Sequence, residues 1–176
     1  MKRNIPIYLY GAIVILEGIL LFASKTIAFD SLKWAVGIPL TVAAILAFIA
    51  AVPMPKKQVQ SAYHTLHALV MLGYGICILY FCTTYEMLLF MTSLLFIFYS
   101  FSEIIFCGWL FNMGNKIVTK IIAIRLLLGL SIGIGSVILM NYPTFRIEGY
   151  GILFIIIGIN FIMYAPVMNE KAPIVA

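Results

Sequence analysis

The chain has 176 residues, of which 64% are hydrophobic and only 10% charged, with a mean hydropathy of +1.14 and a formal net charge of +5. A soluble domain is near 45 to 50% apolar and about 25% charged, so a water-soluble globular fold is excluded; at roughly 20 apolar residues per spanning helix there is room for six spans and no soluble catalytic domain. The positive charge is the kind that orients a membrane protein, and it gives no reason to expect nucleic acid as a partner.

In chain order, the first apolar run, Ile5 to Ala23, follows Lys2 and Arg3 and carries one carboxyl group, Glu17, at mid-span. It is long for the apolar region of a signal peptide, and its removal leaves an unpartnered helix, so it is expected to remain as a span. The stretch SKTIAFDS leads to a second run, Leu32 to Val52, and PMPKKQVQS to a third, Ala62 to Cys82, which holds His64 and His67. TTYE precedes a fourth run, Met87 to Phe111, containing Glu103. NMGNK precedes a fifth, Ile117 to Met140, with Arg125 inside it, and NYPTFR precedes the sixth, Ile147 to Val167. Turn and polar chemistry of this kind ends helices, and connections this short make consecutive helices antiparallel. None of the runs shows the period-two alternation of a membrane barrel. The expected fold is therefore an all-α membrane protein, a single integral membrane domain over residues 1–176, with six transmembrane helices as three repeated antiparallel helical hairpins at about 5–52, 62–111 and 117–167.

Lysine and arginine set the expected orientation. Seven of them (Lys2, Arg3, Lys56, Lys57, Lys116, Lys120, Lys171) fall on the side of the N-terminus, against three (Lys25, Lys33, Arg146) on the other. Both termini are expected in the cytoplasm. Trp34 and Tyr142 near the outer edge, with Trp109 and Tyr164 near the inner edge, suit interfacial belts. Cys77, Cys82 and Cys107 are odd in number and lack CxxC spacing, so they read as small packing residues and not as a disulfide or thiol redox motif.

Aligning the three hairpins on Gly18, Gly75 and Gly133 places EGILLF, YGICIL and IGIGSV in register, at spacings of 57 and 58 residues. With a one-residue slip, small residues in the second helix of each hairpin recur as Gly37 with Ala44, Ser93 with Ser100, and Gly151 with Gly158. Each pair is seven apart, two helical turns, and forms a stripe that lets helix backbones approach closely in a membrane. These glycine patterns, in YGAIVILEGILLF, LGYGICILYF, LLLGLSIGIGSVILMNYP and GYGILFIIIGINFI, resemble the HdeD family of small bacterial inner-membrane proteins over about residues 8–165. The resemblance implies a six-helix fold and a link to acid resistance, and it carries no established reaction.

The repeat register also aligns polar residues. Eight residues before the aligned glycines stand Tyr10, His67 and Arg125, at one level of the three first helices, where a pseudo-threefold arrangement brings them together. An arginine inside a membrane helix costs roughly 2.5 to 3.5 kcal/mol on insertion scales and calls for a partner. Glu103 lies at the same depth in the preceding helix and is the candidate. Glu17, aligned with Tyr74 and Ile132, has no cation level with it; Lys25 is two turns further out. Two readings stand for it, a protonated carboxyl bonded to a neighbouring helix or a proton-carrying group. His64 and His67 lack a third ligand at recognisable spacing, so no metal is expected, and no cofactor motif is present.

The expected polar cluster is thus Tyr10, Glu17, His67, Glu103 and Arg125, and the expected packing residues are Gly18, Gly37, Gly75, Gly133, Gly151 and Gly158. No HExxH, GxSxG or phosphate-binding glycine loop occurs, and no catalytic residue is assigned. The leading expectation is a non-enzymatic multi-pass protein of the bacterial inner membrane, a stress or acid-resistance factor. Its partners are the lipid bilayer and either a second copy of the chain or another membrane protein. A small proton or solute channel or transporter is the alternative, with an intramembrane enzyme acting on lipid third.

Overall fold

The structure, a computed structural model, describes residues 5–23, 27–51, 59–111, 116–141 and 146–164. These hold six α-helices: α1 (Ile5–Ala23), α2 (Phe29–Ala51), α3 (Val59–Phe81), α4 (Tyr85–Phe111), α5 (Lys116–Asn141) and α6 (Arg146–Tyr164). The expectations placed on Lys2, Arg3, Lys25, Lys56, Lys57, Tyr142 and Lys171 lie outside the described residues. Helices α1, α2, α4 and α5 are long and apolar enough to cross a membrane. The apolar stretches described for α3 and α6, Thr65–Phe81 and Ile147–Met163, are shorter. Between α3 and α4 only Cys82, Thr83 and Thr84 intervene, and Thr84 caps α4: its Oγ1 accepts from Met87 N at 3.2 Å and its carbonyl from Leu88 N at 3.1 Å.

Each helix packs against its neighbours in sequence, and α6 closes on α1, so the bundle is a ring in chain order. The most extensive contacts are α1 with α6, α2 with α3 and α4 with α5, that is, between the expected hairpins and not within them. Residue pairs show the directions. Gly11 meets Gly158 while Gly18 meets Gly151, and Glu103 meets Gly129 while Ser100 meets Gly133, so residue numbers rise on one helix as they fall on the next. Neighbours are antiparallel, as short connections require.

The outer surface is hydrocarbon on every helix, with Leu16, Phe48, Leu69, Phe98, Leu127 and Ile152 among its exposed residues. Large apolar side chains covering the whole circumference suit a lipid surround and not water. The interior shows a shared register. Tyr10, Val14, Glu17 and Leu21 of α1 are buried, as are His67, Met71, Tyr74 and Ile78 of α3 and Arg125, Gly129, Ile132 and Ser136 of α5, at offsets of 57 and 58 residues. In the even helices, Val36, Leu40, Ala43, Ala44 and Ala47 of α2 are buried, as are Thr92, Phe96, Tyr99, Ser100 and Glu103 of α4 and Tyr150, Phe154, Ile157, Gly158 and Phe161 of α6, at offsets of 56 and 58.

Glycine permits the α1 and α6 backbones to touch. A Cβ added at Gly18 would lie 2.5 Å from the Gly151 carbonyl oxygen, and one at Gly158 would lie 2.6 Å from that of Gly11. Gly37 and Gly75 face each other beside Thr41, whose Oγ1 donates to the Gly37 carbonyl at 2.7 Å. Gly133 meets the Ser100 side chain. Gly11, seven residues before Gly18, is a packing residue that the repeat alignment did not single out. Close backbone approach of this kind replaces the hydrophobic driving force that lipid does not supply. Gly18→Ala is therefore expected to lower the stability of the detergent-solubilised protein by about 1 to 3 kcal/mol. Gly73→Ala, where a Cβ meets nothing within 4 Å, should leave the midpoint of thermal unfolding unchanged or raise it.

Candidate functional site

Polar side chains occupy two levels inside the ring. At the first, helical spacing aligns Tyr63 with His67 on α3, and Tyr99 with Glu103 and Cys107 on α4, at i and i+4. Tyr10 of α1, Arg125 of α5 and Asn160 with Phe161 of α6 complete the level, and all are buried.

Arg125 and Glu103 form its electrostatic centre, with exposures of 1% and 0%. The Arg125 Nε donates to Glu103 Oε1 at 2.8 Å, and Nη2 lies 2.5 Å from the same oxygen. The second carboxylate oxygen, Oε2, accepts from the Tyr63 hydroxyl. Cys107, expected only as a packing residue, donates its Sγ–H to Oε1 at 3.5 Å. Arg125 also sits 5.7 Å from the ring centroid of Phe106, a cation–π contact. A carboxylate held by a guanidinium, a phenol and a thiol is compensated in charge and in hydrogen bonds, the condition under which a buried ion pair is tolerated.

A second pair crosses the interior from α1 to α3, where the Tyr10 hydroxyl and His67 Nε2 share a hydrogen bond of 2.7 Å. Aromatic rings wall it in: Phe161 at 4.6 Å, Tyr99 at 5.4 Å and Tyr63 at 6.1 Å from the His67 ring, centroid to centroid. Tyr63 in turn stacks on Phe106 at 4.0 Å. The Tyr99 hydroxyl accepts from Asn160 Nδ2 at 2.6 Å, linking α4 to α6. Tyr10 and His67 thus meet directly, whereas Arg125, their counterpart on α5, turns to Glu103 on the adjacent helix, whose other carboxylate oxygen is bonded by Tyr63. The physical reason is the full charge on Glu103, which outbids a neutral phenol or imidazole for a guanidinium in a low-dielectric interior.

Glu17 does not join this cluster. It stands seven residues beyond Tyr10 on α1, about 10 Å along the axis, with Val14 buried between them. Its carboxyl makes no hydrogen bond among the described residues, so the first of its two readings, a bond to a neighbouring helix, is not met there. At this second level Tyr74 bonds Thr92 at 2.5 Å, and Tyr150 bonds Ser93. Ser136 donates to the Ser93 carbonyl at 3.1 Å. The side chain of His64 lies outside the described residues.

Sequence reasoning missed Tyr63, Tyr99, Cys107 and Asn160. A signal for the two tyrosines was present, since each stands four residues before a chosen polar residue and so shares its helical face. Asn160 had none, because its partner comes from a helix 61 residues away.

Chemically, the first level can bind charge and orient an imidazole, but its acid and base groups are engaged with one another. Replacing Arg125 or Glu103 alone by Leu should cost about 3 to 5 kcal/mol in detergent, because each change strands a buried charge. The double Leu variant should lose less than the two single losses combined, measured as a double-mutant cycle on thermal unfolding; additive losses would show an uncoupled pair. Comparison with family models, with curated proteins and with solved structures finds no match for this chain.

Proposed function

We propose that this chain is a six-span, non-enzymatic protein of the bacterial inner membrane with both termini in the cytoplasm, a triplicated hairpin bundle of the HdeD type acting in membrane stress or acid resistance. Its action is exerted through its outer surface, on the bilayer or on a membrane partner, and not through an aqueous interior. One observation carries this reading. The first-level polar groups of all the helices except α2 are bonded to one another, Arg125 to Glu103, Tyr63 to Glu103, Tyr10 to His67 and Asn160 to Tyr99, and aromatic rings pack between them. Such an interior holds helices in register and leaves hydrocarbon as the surface offered to surroundings.

The six-span reading draws support from packing. Helices α3 and α6 run antiparallel to neighbours that are long and apolar enough to cross, and each packs against both of its neighbours. The common burial register of α1, α3 and α5, and of α2, α4 and α6, supports triplication. The lysine and arginine bias supports the orientation. In a cysteine-free version, Lys57→Cys and Gly114→Cys should be shielded from an impermeant thiol reagent in intact cells, while Ala28→Cys and Thr144→Cys should label; labelling of position 57 from outside would reverse the assignment.

Activity divides this reading from the transport alternative. Purified protein in liposomes should leave an imposed pH gradient decaying at the protein-free rate, and His67→Ala or Glu103→Gln should lower thermal stability without altering that rate. A flux that disappears in folded His67 or Glu103 variants would establish a conducting interior instead.

A further inference from the structure

Glu17 is the one carboxyl of the bundle interior without a hydrogen-bond partner among the described residues. It is 0% exposed, and neither Oε1 nor Oε2 is bonded. Glu103, equally buried, is held by Arg125, Tyr63 and Cys107. The groups facing Glu17 come from every side of the ring. On α6, the contact of Gly18 with Gly151 sets Tyr150 at its level. On α3, Tyr74 lies within electrostatic reach of both Glu17 and Tyr150. Helix α4 contributes the hydroxyls of Thr92 and Ser93, and α5 that of Ser136. Helix α2 turns Leu32, Val36 and Leu40 inward, while its titratable Asp30 is exposed and its Lys33 half-buried near the helix start. Among the described residues no cationic side chain is hydrogen-bonded to Glu17.

Donor counting sharpens the imbalance. Thr92 donates its one hydroxyl hydrogen to the Leu88 carbonyl at 2.7 Å, and Ser93 donates to that of Leu89 at 3.0 Å. Each then accepts from its tyrosine, Tyr74 or Tyr150. Ser136 is directed at the Ser93 carbonyl. The layer is rich in oxygen lone pairs, and no hydrogen is aimed at the carboxyl. An ionised carboxylate here would be a desolvated charge with neither counter-ion nor donor, an arrangement that neutralises instead of persisting. Among the described residues no group of three or more His, Cys, Asp or Glu side chains stands together to hold a metal ion.

We propose that Glu17 is a proton-binding site, a neutral carboxylic acid held in mid-bundle at neutral pH, distinct from the ion-paired Glu103. The site goes beyond the reading of the protein as a surface-acting membrane body and stands whether or not the interior conducts. Its signature is the carbonyl stretch of a protonated carboxyl in the infrared spectrum of the full-length protein in lipid, a band that ionised carboxylates lack. At pH 7 the wild type should show one such band. Glu17→Gln should remove it, Glu103→Gln should retain it, and exchange of choline for sodium in the buffer should leave it unchanged. Glutamine fits the site sterically and supplies N–H donors to a layer short of them; should that variant nevertheless fail to fold, Glu17→Asp should keep the band at a shifted frequency. Absence of the band in the wild type, its survival in folded Glu17→Gln, or its suppression by sodium would each overturn the assignment, the last in favour of a sodium site.

Discussion

A polar group inside a bundle whose outer face is hydrocarbon is stabilised chiefly by partners within the bundle, because lipid supplies none, and a group left without one is driven to its neutral form. That constraint explains why the interior is ordered in levels. The Arg125 and Glu103 charges sit opposite each other on adjacent helices, and the remaining carboxylate oxygen takes the Tyr63 hydroxyl from a third. Three helices, α3, α4 and α5, are thereby locked to one another at a single depth. A shift of one helical turn in α4 or α5 would strand a charge, and one in α3 would remove the phenol from the carboxylate.

Close backbone packing makes those meetings possible. Tyr10 and His67 lie on α1 and α3, which are not neighbours in the ring, yet their side chains meet at 2.7 Å across its centre. The α1 and α6 backbones touch at two pairs of glycines, seven residues apart on each helix, and this draws the ring tight enough for a tyrosine to reach across. Bulk inside the ring is inversely distributed: α2 contributes alanines at positions 43, 44 and 47, while α4 and α6 place Tyr99, Glu103, Ile157 and Phe161 at corresponding depths. Small residues on one side accommodate the aromatics that wall the His67 pair.

The two levels differ in kind. The first matches cation to anion and links α1, α3, α4, α5 and α6 by hydrogen bonds, and such a network imposes register on the helices that carry it. The second has hydroxyls bonded among themselves and a carboxyl left over. Val14, Met71, Phe96 and Phe154 lie buried between them, an apolar tier that separates a level built for specificity from one organised around a titratable group.

Helix number and approximate limits were legible in the sequence, because apolar runs of about 20 residues broken by polar turns admit few other readings, and α1 starts and ends where its run does. The pairing of Arg125 with Glu103 was also legible, since a charge at membrane depth demands an opposite charge at the same depth on a neighbouring helix. Gly18 and Gly151 could be marked as packing residues by their spacing, but only the folded ring showed that they pack on each other, closing the first helix against the last. Tertiary structure alone decided that Tyr10 would bond His67 while Arg125 turned aside, because that choice depends on which helix stands next to α5 and on the stronger claim of a full charge. It likewise decided the isolation of Glu17. A sequence lists the groups at each depth, but whether a partner points toward a given carboxyl depends on the rotation of six helices about their axes, and packing sets that rotation.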